Sequence, residues 1–279
     1  MRERKGQPQR LVHLVRVELI QRLTSWRWTV CAFLFILVAY LQGGRVLVNA
    51  ANQNEYVNIW DALFSIFANR HILMFVLIPL YLYGISDLVV DRGWGETYAL
   101  RCGSRKWWWY GKAAALAVVT ATYVALGIAL AGGTSTFAFR AEGNWSTYAR
   151  QTLADLYLSP MLLALPPGLS LLILGVWLFL SLYGFGMITI ALSLQLNAPV
   201  YGFTGGMALL FFGFLLIDLP IFSWVHMVSP TYHLLILSAM DRYSVLALSF
   251  GYWLVWIVLI GFWGLRLSQT HHFLTKGRT

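Results

Sequence analysis

Along the chain, apolar positions gather into six long runs separated by polar or mixed stretches. The runs cover about 29–48, 71–90, 112–131, 168–194, 200–217 and 244–267. Each is close to the ~20 residues a helix needs to cross about 30 Å of hydrocarbon. Ahead of them the rhythm differs. Over Arg10–Trp28, Val12, Val15, Leu19, Leu23 and Trp26 recur at helical spacing, while Arg10, His13, Arg16, Gln21 and Arg22 fall elsewhere on the wheel. That pattern predicts an amphipathic helix in the membrane interface, with its arginines near anionic headgroups. The expected fold class is all-α: a six-transmembrane-helix bundle preceded by an N-terminal amphipathic interfacial helix. The expected divisions are 1–28 for the tail and entry helix, 29–267 for the transmembrane domain and 268–279 for a second tail.

The breaks between runs add detail. Asn58–Asn69 mixes Trp60, Leu63, Phe64 and Phe67 with Asp61 and Asn69, and predicts a short helix at the outer surface. Pro79, near the middle of the second run, removes one backbone bond and predicts a kink there. Gly132–Pro167 and Asp218–Tyr243 are mixed outer segments, the latter interrupted by Pro220 and Pro230. Only Gln195–Pro199 links the fourth run to the fifth. Gly202 and Gly206 form a GxxxG in the fifth run, a spacing that lets two helices approach closely.

Composition supports lipid as the main solvent. Of 279 residues, 59% are hydrophobic and 11% charged, against about 25% charged in an ordinary soluble domain. The net charge of +9 raises nucleic acid as a partner, but the basic residues cluster beside apolar runs rather than on one soluble face. No nucleic-acid partner is expected. With both ends inside, 15 of the 20 Lys and Arg fall on the cytoplasmic side, leaving Arg45, Arg70, Arg140, Arg150 and Arg242 outside. The expected location is the cell membrane, multi-pass, with both termini cytoplasmic. The first run follows a basic segment with no small-residue cleavage site, so it reads as a retained span. Cys31 and Cys102 read as packing or incidental thiols.

The candidate chemistry is sparse. Asp87 and Lys112 fall at cytoplasmic ends of spans, Asp218 at an outer end and Arg266 near the last boundary. Ion-coupled carriers generally bind the coupling ion through an intramembrane ionisable group, so a secondary transporter is disfavoured, although backbone carbonyls can also bind sodium. No span holds paired carboxylates, and HExxH, GxSxG and GxxxxGK[ST] are all missing. His226 and His233, seven apart, lack an evident third ligand, and His271–His272 reads as a solvated pair. No metal and no catalytic residue are expected. Asn144–Trp145–Ser146 matches a glycosylation sequon.

The most informative stretch is Asp87–Lys112. A helix end leads into an acidic and glycine-containing segment, then Tyr98 and Leu100, then Arg101, Ser104, Arg105 and Lys106, and finally Trp107–Trp109 entering the third run. Interfacial aromatics and basic residues would brace such a loop, about 91–111, against the membrane. Here the chain resembles the permease subunits of ABC-2 type transporters, in the style of type V exporters. The likeness covers the whole architecture, and locally Glu96 before a short helix, Gly103–Ser104–Arg105, and Gly111–Lys112 entering the third span.

The resemblance implies that about Asp91–Arg101 forms a coupling helix that docks on a separate ATP-binding subunit. Asp91, Arg92, Glu96, Tyr98, Arg101 and Arg105 would serve that contact. Arg10–Trp28 would be a connecting helix, with Arg16, Glu18 and Arg22 as its site residues. A second permease chain, identical or related, would complete the pathway, with spans one, two and five near the interface. ATP and Mg2+ would sit in the partner subunit, so the chain itself would be neither an enzyme nor a cofactor binder. With no large outer domain, and an aromatic content of 16%, the expected cargo is an amphipathic or lipophilic molecule for export. The alternative is a polytopic membrane protein that transports nothing, such as an assembly, immunity or sensory factor.

Overall fold

The computed structural model of the chain describes residues 7–88, 104–156, 158–217, 228–235 and 243–270. Among these residues it is all-helical. The principal helices are α1 (Gln7–Leu23), α2 (Trp26–Gln53), α3 (Ile59–Phe67), α4 (Arg70–Ile85), α5 (Arg105–Ser135), α6 (Pro167–Leu196), α7 (Pro199–Ile217), α8 (Pro230–Leu235) and α9 (Tyr243–Thr270). Five of them, α2, α5, α6, α7 and α9, are long and apolar enough to cross a membrane. The bent pair α3–α4 makes a sixth candidate. Such helices, with lipid-sized apolar faces left uncovered, make this a membrane-embedded protein.

Local chemistry sets the helix ends. Asn54 closes α2 and Asn197 closes α6, both with positive φ (54° and 55°), the left-handed turn that asparagine tolerates better than most residues. Pro199 then starts α7 at once, where its missing N–H costs nothing. α3 opens with a capping box. The Asn58 side chain accepts from Trp60 N–H, and the Asp61 carboxylate accepts from the Asn58 N–H at 2.7 Å.

The bend expected at Pro79 is distributed differently. The sharp turn, 50°, lies between α3 and α4 at Ala68–Asn69, where the Asn69 side chain caps the new helix by accepting from His71 and Ile72. Ahead of Pro79 the ladder widens into a π-turn over Leu73–Leu77. The proline has no N–H to offer, and the wider turn absorbs its ring. The phenol of Tyr123 on α5 donates to the Leu77 carbonyl at 2.7 Å, so a neighbouring helix satisfies backbone in the loosened segment.

α6 is the central helix, packed against α4, α5, α7 and α9. Small residues set several of these contacts. Gly184 lies under the Trp253 ring of α9, and Gly186 under Tyr81 of α4 and Leu116 of α5. Gly127 of α5 lets Phe35 of α2 approach, and Phe35, Tyr81 and Tyr123 cluster with ring centroids 5.1–5.3 Å from Tyr123. Gly202 and Gly206 both turn toward α6. A Cβ on Gly202 would stand 2.5 Å from the Thr189 carbonyl, and one on Gly206 would stand 2.7 Å from Thr189 Oγ1. The GxxxG is therefore occupied within the chain, by α6.

One end of the bundle gathers α1 and the first turns of α2 and α5 with the last turns of α4 and α9; it is called the proximal end below. At the distal end, Asn54–Asn58 and α3 pair with 140–152. Ile59 N–H donates to Arg140 O, Tyr148 N–H to Tyr56 O, and Asn58 Nδ2 to Asn144 O. Buried Ser146, the last residue of the sequon, donates to Asp61 at 2.7 Å and accepts from Ala149 N–H. Glu142 accepts from the exposed Tyr56 phenol, and that hydrogen bond holds the phenol above its usual range.

Candidate functional site

The proximal end holds the densest set of charged contacts among the described residues, and it flanks both ends of segment 89–103. On one side of that segment stands Asp87, just past α4. Its carboxylate meets Arg27 Nη1 at 3.1 Å, and the same guanidinium donates to Tyr83 O at 3.2 Å and lies 4.8 Å from the centre of the Tyr83 ring. Trp26 adds an edge-on contact to Tyr83. The first turn of α2 is thereby fastened to the last turn of α4.

On the other side, α5 begins at Arg105. Arg105, exposed, donates to the Gln269 carbonyl in the last turn of α9. One turn further, Trp109 is fully buried against α9: its Nε1 donates to Gly261 O at 3.1 Å, and its ring fills the space that a Cβ on Gly264 would need. Lys112 comes next. It lies eight residues into α5, 1% exposed, and its ammonium pairs with Glu18 of α1, itself 5% exposed. Trp108 places its ring 5.9 Å from the same ammonium. Charges so enclosed persist only when paired and hydrogen-bonded, so this contact fixes where α1 can lie.

α1 thus packs along α5 through Glu18 and Leu19. Val12, Leu23 and Trp26, expected on its apolar face, are exposed. Arg16 is exposed, and the side chain of Arg22 falls outside the described residues. Asp91, Arg92, Glu96, Tyr98 and Arg101 lie outside them as well, so of the residues expected to couple to a partner only Arg105 can be placed.

Two placements differ from expectation. Lys112 was expected at a span boundary; instead it is enclosed by α1 and α5, because Glu18 supplies a counter-charge 94 residues away in sequence. His233 was expected in a loose outer segment. It is buried in α8, with Nδ1 2.9 Å from Ser249 Oγ and its ring stacked on Tyr252 at 3.8 Å; His226 is outside the described residues. The Arg27–Asp87 pair and the seat of Trp109 were not anticipated. Gly261 and Gly264, three apart in an otherwise bulky helix, were the available signal for the latter.

Among the described residues, this end shows no arrangement of nucleophile and base. It offers mechanical continuity: five helices, α1, α2, α4, α5 and α9, are tied by polar contacts at the two ends of 89–103. No protein-family profile matches the chain. Over 124 residues it is 27% identical to an uncharacterized protein of Halalkalibacterium halodurans, a stretch covering 44% of this chain and 44% of that protein.

Proposed function

We propose that the chain is the permease subunit of an ATP-binding cassette transporter of the ABC-2 type, exporting an amphipathic or lipophilic molecule with a separate ATPase. In this reading α3–α4 is the second of six spans, the proximal end faces the cytoplasm, and both termini lie inside the cell membrane. The charge bias of 15 cationic residues to 5 supports that orientation. α1 is the connecting helix, and Asp91–Arg101 contributes the contact to the ATPase.

The observation that carries the proposal is that proximal contacts anchor the chain on both sides of 89–103. Asp87 ties its entry to α2 through Arg27, while Trp109 and Lys112 tie its exit to α9 and α1. A push on that segment by a soluble partner would be passed to five helices rather than absorbed in one loop. ATP binding in the partner would then bias the bundle between two access states. The chain contributes force transmission, and the partner supplies ATP, Mg2+ and hydrolysis. A second permease chain, identical or related, would complete the pathway.

The test is co-purification of the full chain with the P-loop ATPase produced alongside it, and measurement of that ATPase with and without the chain. Association and stimulation are expected, and charge reversal at Glu96 or Arg101 should remove both. A chain that brings down no ATPase, or whose ATPase is indifferent to both reversals, rules this function out in favour of a non-transporting membrane protein. Cysteine labelling from each side of sealed vesicles at Gln269 and Glu142 checks the orientation independently.

A further inference from the structure

α4 is interrupted at mid-length, and α5 reaches across to both sides of the interruption. Over Leu73–Leu77 the ladder widens, and Ile78 N–H reaches five residues back to Leu73 O. The next residue, Pro79, has no N–H, so the ladder loses a further rung there. Two phenols straddle this break. Tyr123 of α5 donates to Leu77 O at 2.7 Å, two residues before the proline. Tyr81, two residues after it, lies 2.6 Å from Thr120 Oγ1 of α5. Thr120 gives its own proton to Leu116 O at 2.8 Å, so Tyr81 is the donor. Both phenols are buried, and their ring centroids lie 5.3 Å apart.

The two halves of α4 are fastened to different parts of the molecule. Arg70–Leu77 follows the 50° bend and the Asn69 cap, and α3 beyond the bend is joined to 140–152. Ile78–Ile85 is tied instead to α2, through Arg27, which meets Tyr83 O and Asp87. α2 also sets the place of the Tyr123 phenol. Phe35 and Trp28 pack on that ring, with centroids 5.1 and 6.2 Å away. Relative movement of the two fastenings falls where the ladder is interrupted, since a hinge is the few residues that can absorb such a change. The phenol hydrogen bonds resist it at that place.

From this geometry we infer that α4 is a hinged helix: its halves reorient about Pro79, and the hydroxyls of Tyr123 and Tyr81 are the latch that holds the arrangement seen here. A shift of α2 draws the Tyr123 phenol away from Leu77 O. The distal half of α4 then turns against α7, where Phe75 lies 5.9 Å from Phe211 and 6.0 Å from Phe214 between ring centroids. The inference concerns this chain alone and does not depend on the transport reading.

The test uses the full chain in phosphatidylcholine nanodiscs, with trifluoromethyl-phenylalanine at Phe75. That side chain is 52% exposed, so it accepts the probe, and its contacts with α7 make the fluorine line sensitive to the turn of the distal half. Fluorine NMR of the parent is expected to show a major line exchanging with a minor one on the µs–ms scale of helix motions. Tyr123→Phe removes one latch bond and should raise the minor population relative to the major by about three- to tenfold. Tyr81→Phe should move it in the same direction. Pro79→Ala restores the missing N–H and should suppress the exchange. A single line without exchange, in the parent and in both phenol variants, overturns the proposal. So does exchange that persists undiminished in Pro79→Ala. A lower melting temperature in Tyr123→Phe with an unchanged fluorine spectrum would make the two phenols a static clasp, and it overturns the proposal as well.

Discussion

Glu18 of α1 and Lys112 of α5 form an ion pair closed off from solvent on nearly every side, across 94 residues of sequence. Neither charge could sit there alone, since each must give up its hydration and be compensated by the other. The pair therefore acts as a registry pin. It determines which turn of α1 meets which turn of α5, more than it adds to stability.

That asymmetry is testable. Glu18→Ala or Lys112→Ala strands the opposite charge and is expected to cost about 3–5 kcal/mol. Glu18→Leu combined with Lys112→Met removes both charges and should recover most of that loss. Thermal and chemical unfolding of the parent and the three variants in one detergent makes the comparison. A double variant as unstable as the worse single one would mean that the pair is no mutual compensation.

The second pair behaves differently because water reaches it. Arg27 and Asp87 side chains are about a quarter and a third exposed. Partly exposed ion pairs contribute roughly 0–1 kcal/mol. Asp87→Asn should therefore shift the melting temperature little and in a salt-dependent way, whereas Glu18→Gln, which also leaves Lys112 uncompensated, should shift it far more. Melts at low and high salt separate the two cases.

Much of the fold was legible because bilayer thickness imposes its length on apolar runs. The long helices coincide with the apolar runs and extend a few residues beyond them, α2 to Trp26–Gln53 against 29–48 and α5 to Arg105–Ser135 against 112–131. The extensions are amphipathic turns that a hydropathy argument trims away. The site was less legible. Glu18 and Lys112 are each unremarkable in their local windows, and only the approach of α1 to α5 joins them. The π-turn before Pro79 was hidden for a related reason: proline signals a disrupted ladder but not how the disruption is spread. Gly202 and Gly206 announced a close contact without saying with what, and the Thr189 and Ser193 positions of α6 are separated from them by a turn of sequence that any helical hairpin could have used.

Trp109 and Gly264 give a prediction with an internal control. A Cβ on Gly264 would overlap the buried indole, which is held by its own hydrogen bond to Gly261 O and cannot swing aside freely. Gly261 is the milder neighbour, since a Cβ there would touch only the Met187 methyl at 4.0 Å. Gly264→Ala is expected to destabilise by about 1–3 kcal/mol through overpacking, and Gly261→Ala by less than 1. Unfolding curves for the two variants, one helical turn apart, decide it. Equal tolerance would show that the Trp109 seat is loose.

The distal contacts turn on Asp61, whose two carboxylate oxygens are used by different partners: one accepts from Asn58 N–H, the other from Ser146, each at 2.7 Å. Asp61→Ala removes both acceptors and leaves the buried Asn58 N–H without its partner, an expected cost of about 1–3 kcal/mol. Asp61→Asn keeps one acceptor and should cost less. Ser146→Ala leaves the carboxylate short of one donor and also deprives Ala149 N–H of its acceptor. The three variants should therefore loosen the same place, the junction of α3 with 140–152, while leaving the proximal end untouched. Amide hydrogen exchange reads this directly: faster exchange at Ile59 and Tyr148, which donate across the junction to Arg140 O and Tyr56 O, with unchanged protection at Trp108 and Lys112. Acceleration at both ends together would mean that the bundle responds as one unit and that Asp61 does not hold a local joint.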